Sequence, residues 1–282
     1  RLLGNLSERP RRRHEDPEGR QADLPAERAR VLLHRMPRCD VADFMAQYAG
    51  QLSLGFEAVT AGAYDNSLNG NMDIVVVKLN QNGTALSGST FIGGSGDDGV
   101  NIVMSPRTIT SLKYNYADDA RGEIIVDNAN NVYVASSTRS TNFPTSAGAI
   151  QNVLRGAQDA VIFKMNNTLT SLLWSTYLGG NGDDAGYSLL TNNQNAVYVC
   201  GGTTSSNFPT TPGVINPTAP GGFADGYLAH INATGTAIIN STYIGTAAYD
   251  QTHFVQMDGN GQIYVTGQTS GLFPVTPGVY SN

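Results

Sequence analysis

Cysteine is nearly absent from this chain: Cys39 and Cys200 are the only two among 282 residues. They lie in segments of very different composition, and neither a disulfide framework nor a zinc-ligand spacing can be built from them. Charge is also scarce. Only 14% of residues are charged, and a net charge of −6 with a pI near 5.1 offers no electrostatic basis for a nucleic-acid or anionic-membrane partner. No apolar run reaches the roughly eighteen residues of a membrane-spanning helix, so membrane insertion is not expected. The N-terminus lacks the apolar stretch of a signal peptide, so any export signal lies outside this chain. What is abundant is glycine, at 32 residues, beside a 40% hydrophobic content sufficient for a core. Many glycines and few charges suit short strands joined by tight turns, so the expected class is all-β.

The composition shifts near residue 54. The first fifty residues hold ten arginines, no lysine and one asparagine, Asn5; from residue 51 onward there are four arginines, three lysines and two dozen asparagines. The run RPRRRHEDPEGR, Arg9 to Arg20, mixes both signs with proline and glycine and reads as solvated or disordered. Ten arginines against eight acids leave this segment at only +2. Within it, Leu24 to Met45 has loose helical spacing at Leu24, Ala29, Leu32, Leu33 and Met36. Residues 1–54 are set apart as a non-repeat segment, disordered or with a short helix, which a mis-called start explains as well as any function does.

The remainder repeats. NVYVASST from Asn131, AVYVCGGT from Ala196 and QIYVTGQT from Gln262 stand 65 and 66 residues apart. NFPT from Asn142, NFPT from Asn207 and LFPV from Leu272 are each separated by 65. DIVVVKLN from Asp73, DAVIFKMN from Asp159 and DGYLAHIN from Asp225 recur at 86 and then 66, the longer interval holding an insertion at 99–117. Each unit carries four strand-like runs, in the best-preserved one EIIVD, NVYVASST, DAVIFKMN and LLWSTYLGG, bounded by turn residues. The first two are joined by asparagine-rich hairpin chemistry. Four antiparallel strands per unit of about 65 residues point to propeller blades stacked around an axis.

The motifs YLGGNGDD, NVYVASST, NFPTSAGAI, DAVIFKMN and LLWSTYLGG resemble the SBBP repeat, the unit of a bacterial seven-bladed β-propeller. The resemblance covers Gly55 to Asn282. It divides the region into a partial blade 55–98, the insertion 99–117, blades 118–182 and 183–248, and a partial blade 249–282. It implies an incomplete propeller of about three blades, its neighbouring blades missing from this chain. It further implies a secreted or cell-surface location, type IX secretion-like membership, a role in adhesion or in recognising a protein or glycan, and no catalytic residues. A carbohydrate-active propeller, such as a lyase or glycosidase, and a passive spacer are the alternatives.

STFIGGSGDD, STYLGGNGDD and STYIGTAAYD place Asp97, Asp98, Asp183, Asp184 and Asp250 between the last strand of one unit and the first of the next. A second pair, Asp118 and Asp119, follows the insertion; Asp119 stands as far before Val132 as Asp184 does before Val197. Carboxylates there can accept backbone N–H groups and hold glycine-rich turns, and a group present in every unit reads as structural. Calcium is the competing reading, because clustered acids and asparagines supply hard oxygen ligands; no other cofactor is expected. His253 falls in an innermost strand, in register with Gly122 and Tyr187, and is the candidate for a channel role, although no second histidine or nucleophile elbow accompanies it. His230, in register with Lys78 and Lys164, reads as a surface residue. Phe91, Trp174, Tyr177 and Tyr243 read as packing between units, and Phe143, Phe208 and Phe273 as anchors of the loop after the second strand. Four N-glycosylation patterns, at Asn82, Asn166, Asn232 and Asn240, fall on hairpins and read as incidental.

Overall fold

The structure of the chain, a computed structural model, describes residues 59–101, 111–112 and 122–280. The arginine-rich segment and its helix-like stretch, Cys39, Asp118 and Asp119 lie outside the described residues. The described residues contain no helix, and hence none long and apolar enough to cross a membrane. They form twelve strands: β1 Ile74–Leu79, β2 Leu86–Ile92, β3 Glu123–Val126, β4 Val132–Thr138, β5 Asp159–Met165, β6 Leu172–Leu178, β7 Asp184–Thr191, β8 Val197–Thr203, β9 Asp225–Ile231, β10 Ile238–Ile244, β11 Asp250–Met257 and β12 Ile263–Thr269. All pair antiparallel with their sequence neighbours. The result is a two-stranded sheet β1-β2, two four-stranded sheets β3-β4-β5-β6 and β7-β8-β9-β10, and a two-stranded sheet β11-β12.

The inner strands of the β3–β6 sheet are apolar on both faces because that sheet is covered on both sides. In β5, Ala160 and Ile162 point one way and Val161, Phe163 and Met165 the other, and all five are buried. One face meets Ile74, Val76 and Ile92 of the β1-β2 sheet. The other, with Tyr133, Ala135, Trp174 and Leu178, meets Leu189, Val197, Val199, Tyr227 and Ile231 of the β7–β10 sheet. Each fully buried large side chain contributes about 1.5–3 kcal/mol over its exposed state.

Hairpin turns are held by short polar side chains. Asp127, Asn192 and Asp258 accept two backbone N–H bonds each in the turns β3-β4, β7-β8 and β11-β12. Asn80, Asn166 and Asn232 do the same in β1-β2, β5-β6 and β9-β10. The glycosylation pattern at Asn166 and Asn232 is thus read by the chain's own backbone. Gly235, with φ +67, presses on the next layer: a Cβ there would stand 2.4 Å from the Trp174 ring. That contact makes Trp174 a packing residue between sheets, edge-on to Tyr133 at 6.2 Å.

Candidate functional site

The repeated aspartates sit at the seams between successive sheets. Asp98, Asp184 and Asp250 each donate their backbone N–H back to the preceding unit, to Met72 O, Gln158 O and Ala224 O at 2.8, 2.8 and 2.9 Å. Each carboxylate then accepts the N–H of the turn before it: Gly94 and Gly180 at 2.7 Å, Thr246 at 2.6 Å. Ser140 and Ser205 add hydroxyl donors to Asp98 and Asp184, both at 2.8 Å, and Thr138 donates to Asp98. Asp97 and Asp183 use backbone instead, their carbonyls accepting Arg139 N at 3.0 Å and Thr204 N at 2.8 Å, with side chains half-buried. In the last seam Tyr249 stands in their place.

A second carboxylate faces the first at every seam, which spacing within the turn motif did not reveal. A Cβ at Gly179 would lie 2.6 Å from Asp184 Oδ2 and 2.7 Å from Asp159 Cγ, so only glycine fits between them. Gly93 stands likewise between Asp73 and Asp98, and Gly245 between Asp225 and Asp250. Burial pushes Asp184 up to about 7 against the pull of its donors from Thr203, Gly180 and Ser205, and Asp159 adds like-charge repulsion. Burial, then the Asp250 charge, likewise raises Asp225 to about 7. Asp73, Asp98 and Asp159 are raised too, again chiefly by burial. In the middle seam Gln151 relieves the pair by donating to Asp159 at 2.6 Å. The other seams carry Asp65 and Asn216 in that register, and in all three seams a carboxyl keeps a buried Oδ1 with no hydrogen-bond partner: Asp73, Asp184, Asp225 and Asp250. Among the described residues no three of His, Cys, Asp or Glu converge to hold a metal ion.

The register after the insertion differs from the one its spacing indicated. Asp98 bridges Thr138, as Asp184 pairs with Thr203 and Asp250 with Thr269. Counting along the chain favours Asp118–Asp119, but pairing through space uses Asp98, and the added residues enter after it.

The first strands β3, β7 and β11 are tied to one another, and the described residues Asn101, Ser111 and Leu112 lie beside β7 and the start of β11. Glu123 accepts from Ser188 Oγ at 2.5 Å and from Leu189 N at 2.8 Å, and Ser188 Oγ accepts Val255 N at 3.2 Å, tying the three strands in series. Leu112 is fully buried with Ala185, Tyr187, Ala224 and Tyr249. Its carbonyl accepts Gln251 Nε2 at 3.0 Å, and the Ser111 carbonyl accepts Tyr249 Oη at 3.0 Å. Asn101 and Gln158 extend this buried polar network, linked at 2.8 Å.

His253 and Tyr187 occupy bulges in β11 and β7, positions that redirect a side chain. Their rings meet edge-on at 6.0 Å, and His253 Nε2 lies 3.3 Å from Gln251 Oε1. His230 is not the surface residue its register indicates. Its ring stacks on Tyr198 at 4.0 Å, its Nε2 is buried, and burial lowers its pKa. Tyr177 and Tyr243 do more than pack. Each hydroxyl accepts the N–H of Phe143 or Phe208 at 2.9 or 2.8 Å and donates to the Ser140 or Ser205 carbonyl at 2.7 or 2.8 Å, pinning the base of the long loop. Phe143 and Phe208 are accordingly buried, whereas Phe273 is 44% exposed. No protein-family model matches the chain, and no curated protein matches it either.

Proposed function

We propose that the repeat region is a segment of an SBBP-type β-propeller, its sheets acting as blades, and that it works as a non-enzymatic module for adhesion or recognition at the bacterial surface. The observation that carries this reading is how the conspicuous polar side chains are used. Asp98, Asp184 and Asp250 are engaged by turn backbone, and Leu112 with its polar neighbours is buried beside β7 and the start of β11. A frame of this kind is rigid and chemically quiet. Its long loops are 139–158 and 204–224, whose bases the tyrosine hydroxyls fix and which leave Val153 and Ile215 54% and 86% exposed. Rigidly based loops are where scaffolds place recognition, and the ligand class is a protein or glycan.

The test is to probe the purified chain against glycan and extracellular-protein arrays while assaying polysaccharide breakdown. Binding that persists in His253→Ala, with no product released, supports the module. Product release by the native chain that His253→Ala abolishes would replace it with a carbohydrate-active enzyme, and silence on every array would leave a spacer.

A further inference from the structure

The turns of β5-β6 and β9-β10 each lean on the sheet before them, and these two contacts are filled in opposite ways. The turns share one backbone pattern: Leu169 and Gly235 donate their N–H to the carbonyl of the asparagine three residues earlier, both at 3.1 Å. Both are left-handed, at φ +59 and +67. Glycine adopts that conformation freely, whereas a leucine Cβ is crowded by the neighbouring carbonyl. Leu169 is nevertheless there, and it is fully buried. Backbone strain of this kind persists where the surroundings over-determine it.

The surroundings are the last strand of the preceding sheet. Gly88 on β2 and Trp174 on β6 hold the same register, opposite Lys78 and Lys164. A Cβ on Gly88 would stand 3.3 Å from Leu169 Cδ1, and a Cβ on Gly235 would stand 2.4 Å from the Trp174 ring. In the first contact a small strand residue receives a large turn residue; in the second a large strand residue receives a small one. We infer that this reciprocal pair determines which hairpin each sheet accepts: the size of residue 88 or 174 selects its neighbour through residue 169 or 235.

The two wrong combinations show why the pair selects. A leucine turn over Trp174 would place a whole side chain where a single Cβ is already too close. A glycine turn over Gly88 would leave empty the volume that Leu169 fills. Overlap and voids both destabilise a packed contact, and selectivity is the difference between right and wrong seatings. The backbone anchor carries none of it. Tyr64 N–H donates to the Leu169 carbonyl at 3.0 Å and Ile150 N–H to the Gly235 carbonyl at 3.3 Å, one bond that any residue at the turn can receive.

Two double-mutant cycles on the full chain, read by urea unfolding, test the pairing. One combines Gly88→Ala with Leu169→Ala, the other Gly235→Ala with Trp174→Ala. Gly88→Ala is expected to favour the folded state about tenfold more in the Leu169→Ala background than in the native chain. Gly235→Ala is expected to show the same gain in the Trp174→Ala background, a coupling typical of residues in contact. The variant Gly88→Trp/Leu169→Gly moves the second arrangement into the first contact, and it is expected to resist urea better than Gly88→Trp alone. Additive cycles at both contacts overturn the inference, as does an exchange variant no more stable than Gly88→Trp. The alanine cycles decide the matter even where Gly88→Trp does not fold.

Discussion

Each seam asks two carboxyl groups to share a space that suits one charge, and the consequence is a stability that depends on pH in an unusual direction. Asp184 and Asp225 are raised from 3.8 to about 7. A carboxyl whose folded pKa lies above its unfolded one holds its proton more tightly in the folded state, so its contribution is complete below about 4 and is lost as pH rises through about 7. The urea midpoint is therefore expected to fall between pH 4.5 and 7.5, and Asp184→Asn to flatten the fall by roughly 1–2 kcal/mol. A midpoint that rises over this range would show both seams fully ionised and accommodated. Because the turn backbone already engages these carboxylates, EDTA is expected to leave the midpoint in place, and a loss of stability on chelation would favour calcium instead. Tyr177→Phe leaves Phe143 N–H and the Ser140 carbonyl without their partner and is expected to cost about 1–3 kcal/mol. Amide exchange at Phe143 is the sharper readout. The sequence carried a sign of this role in Phe91, Tyr177 and Tyr243 recurring at one register, but not the hydroxyl's two bonds, which depend on a loop folding back over the strand.

At the level of elements, the alternation and spacing were enough to read the strands. EIIVD, NVYVASST, DAVIFKMN and LLWSTYLGG correspond to β3, β4, β5 and β6, and the hairpins fall on the polar turns between them. The opposed partners Asp73, Asp159 and Asp225 were legible only as strand starts, because their meeting with Asp98, Asp184 and Asp250 depends on the glycine that lets two sheets approach. The seam beside the insertion offered two aspartate pairs, Asp97–Asp98 and Asp118–Asp119, and spacing alone could not show that Asp98 is the one that bridges Thr138. Gly235 shows how narrow the tolerance between layers is. Gly235→Ala adds a Cβ against Trp174 at a left-handed backbone position, and a loss of about 2 kcal/mol is expected in thermal or urea unfolding. At Gly83, which has open space beside it, alanine incurs only the backbone strain, so the difference between the two variants isolates the contact between layers.

For the whole molecule, the stacking of near-identical sheets raises the question of what keeps them in order. Leu112 is the answer the structure offers. Removing its side chain as Leu112→Ala is expected to cost about 2–5 kcal/mol by leaving a cavity among Tyr187, Ala224 and Tyr249. The carbonyls of Ser111 and Leu112 are received by Tyr249 and Gln251, and the preceding sheet carries Asp183 and Ala185 at those two registers. The side-chain donors to these two carbonyls therefore come from the last of these sheets and not from its predecessor. Chains assembled from similar units are prone to misassembly, one unit taking its neighbour's seat during folding. A lock that accepts one address breaks that degeneracy, so refolding without Tyr249 and Gln251 should populate kinetic traps that the native chain avoids.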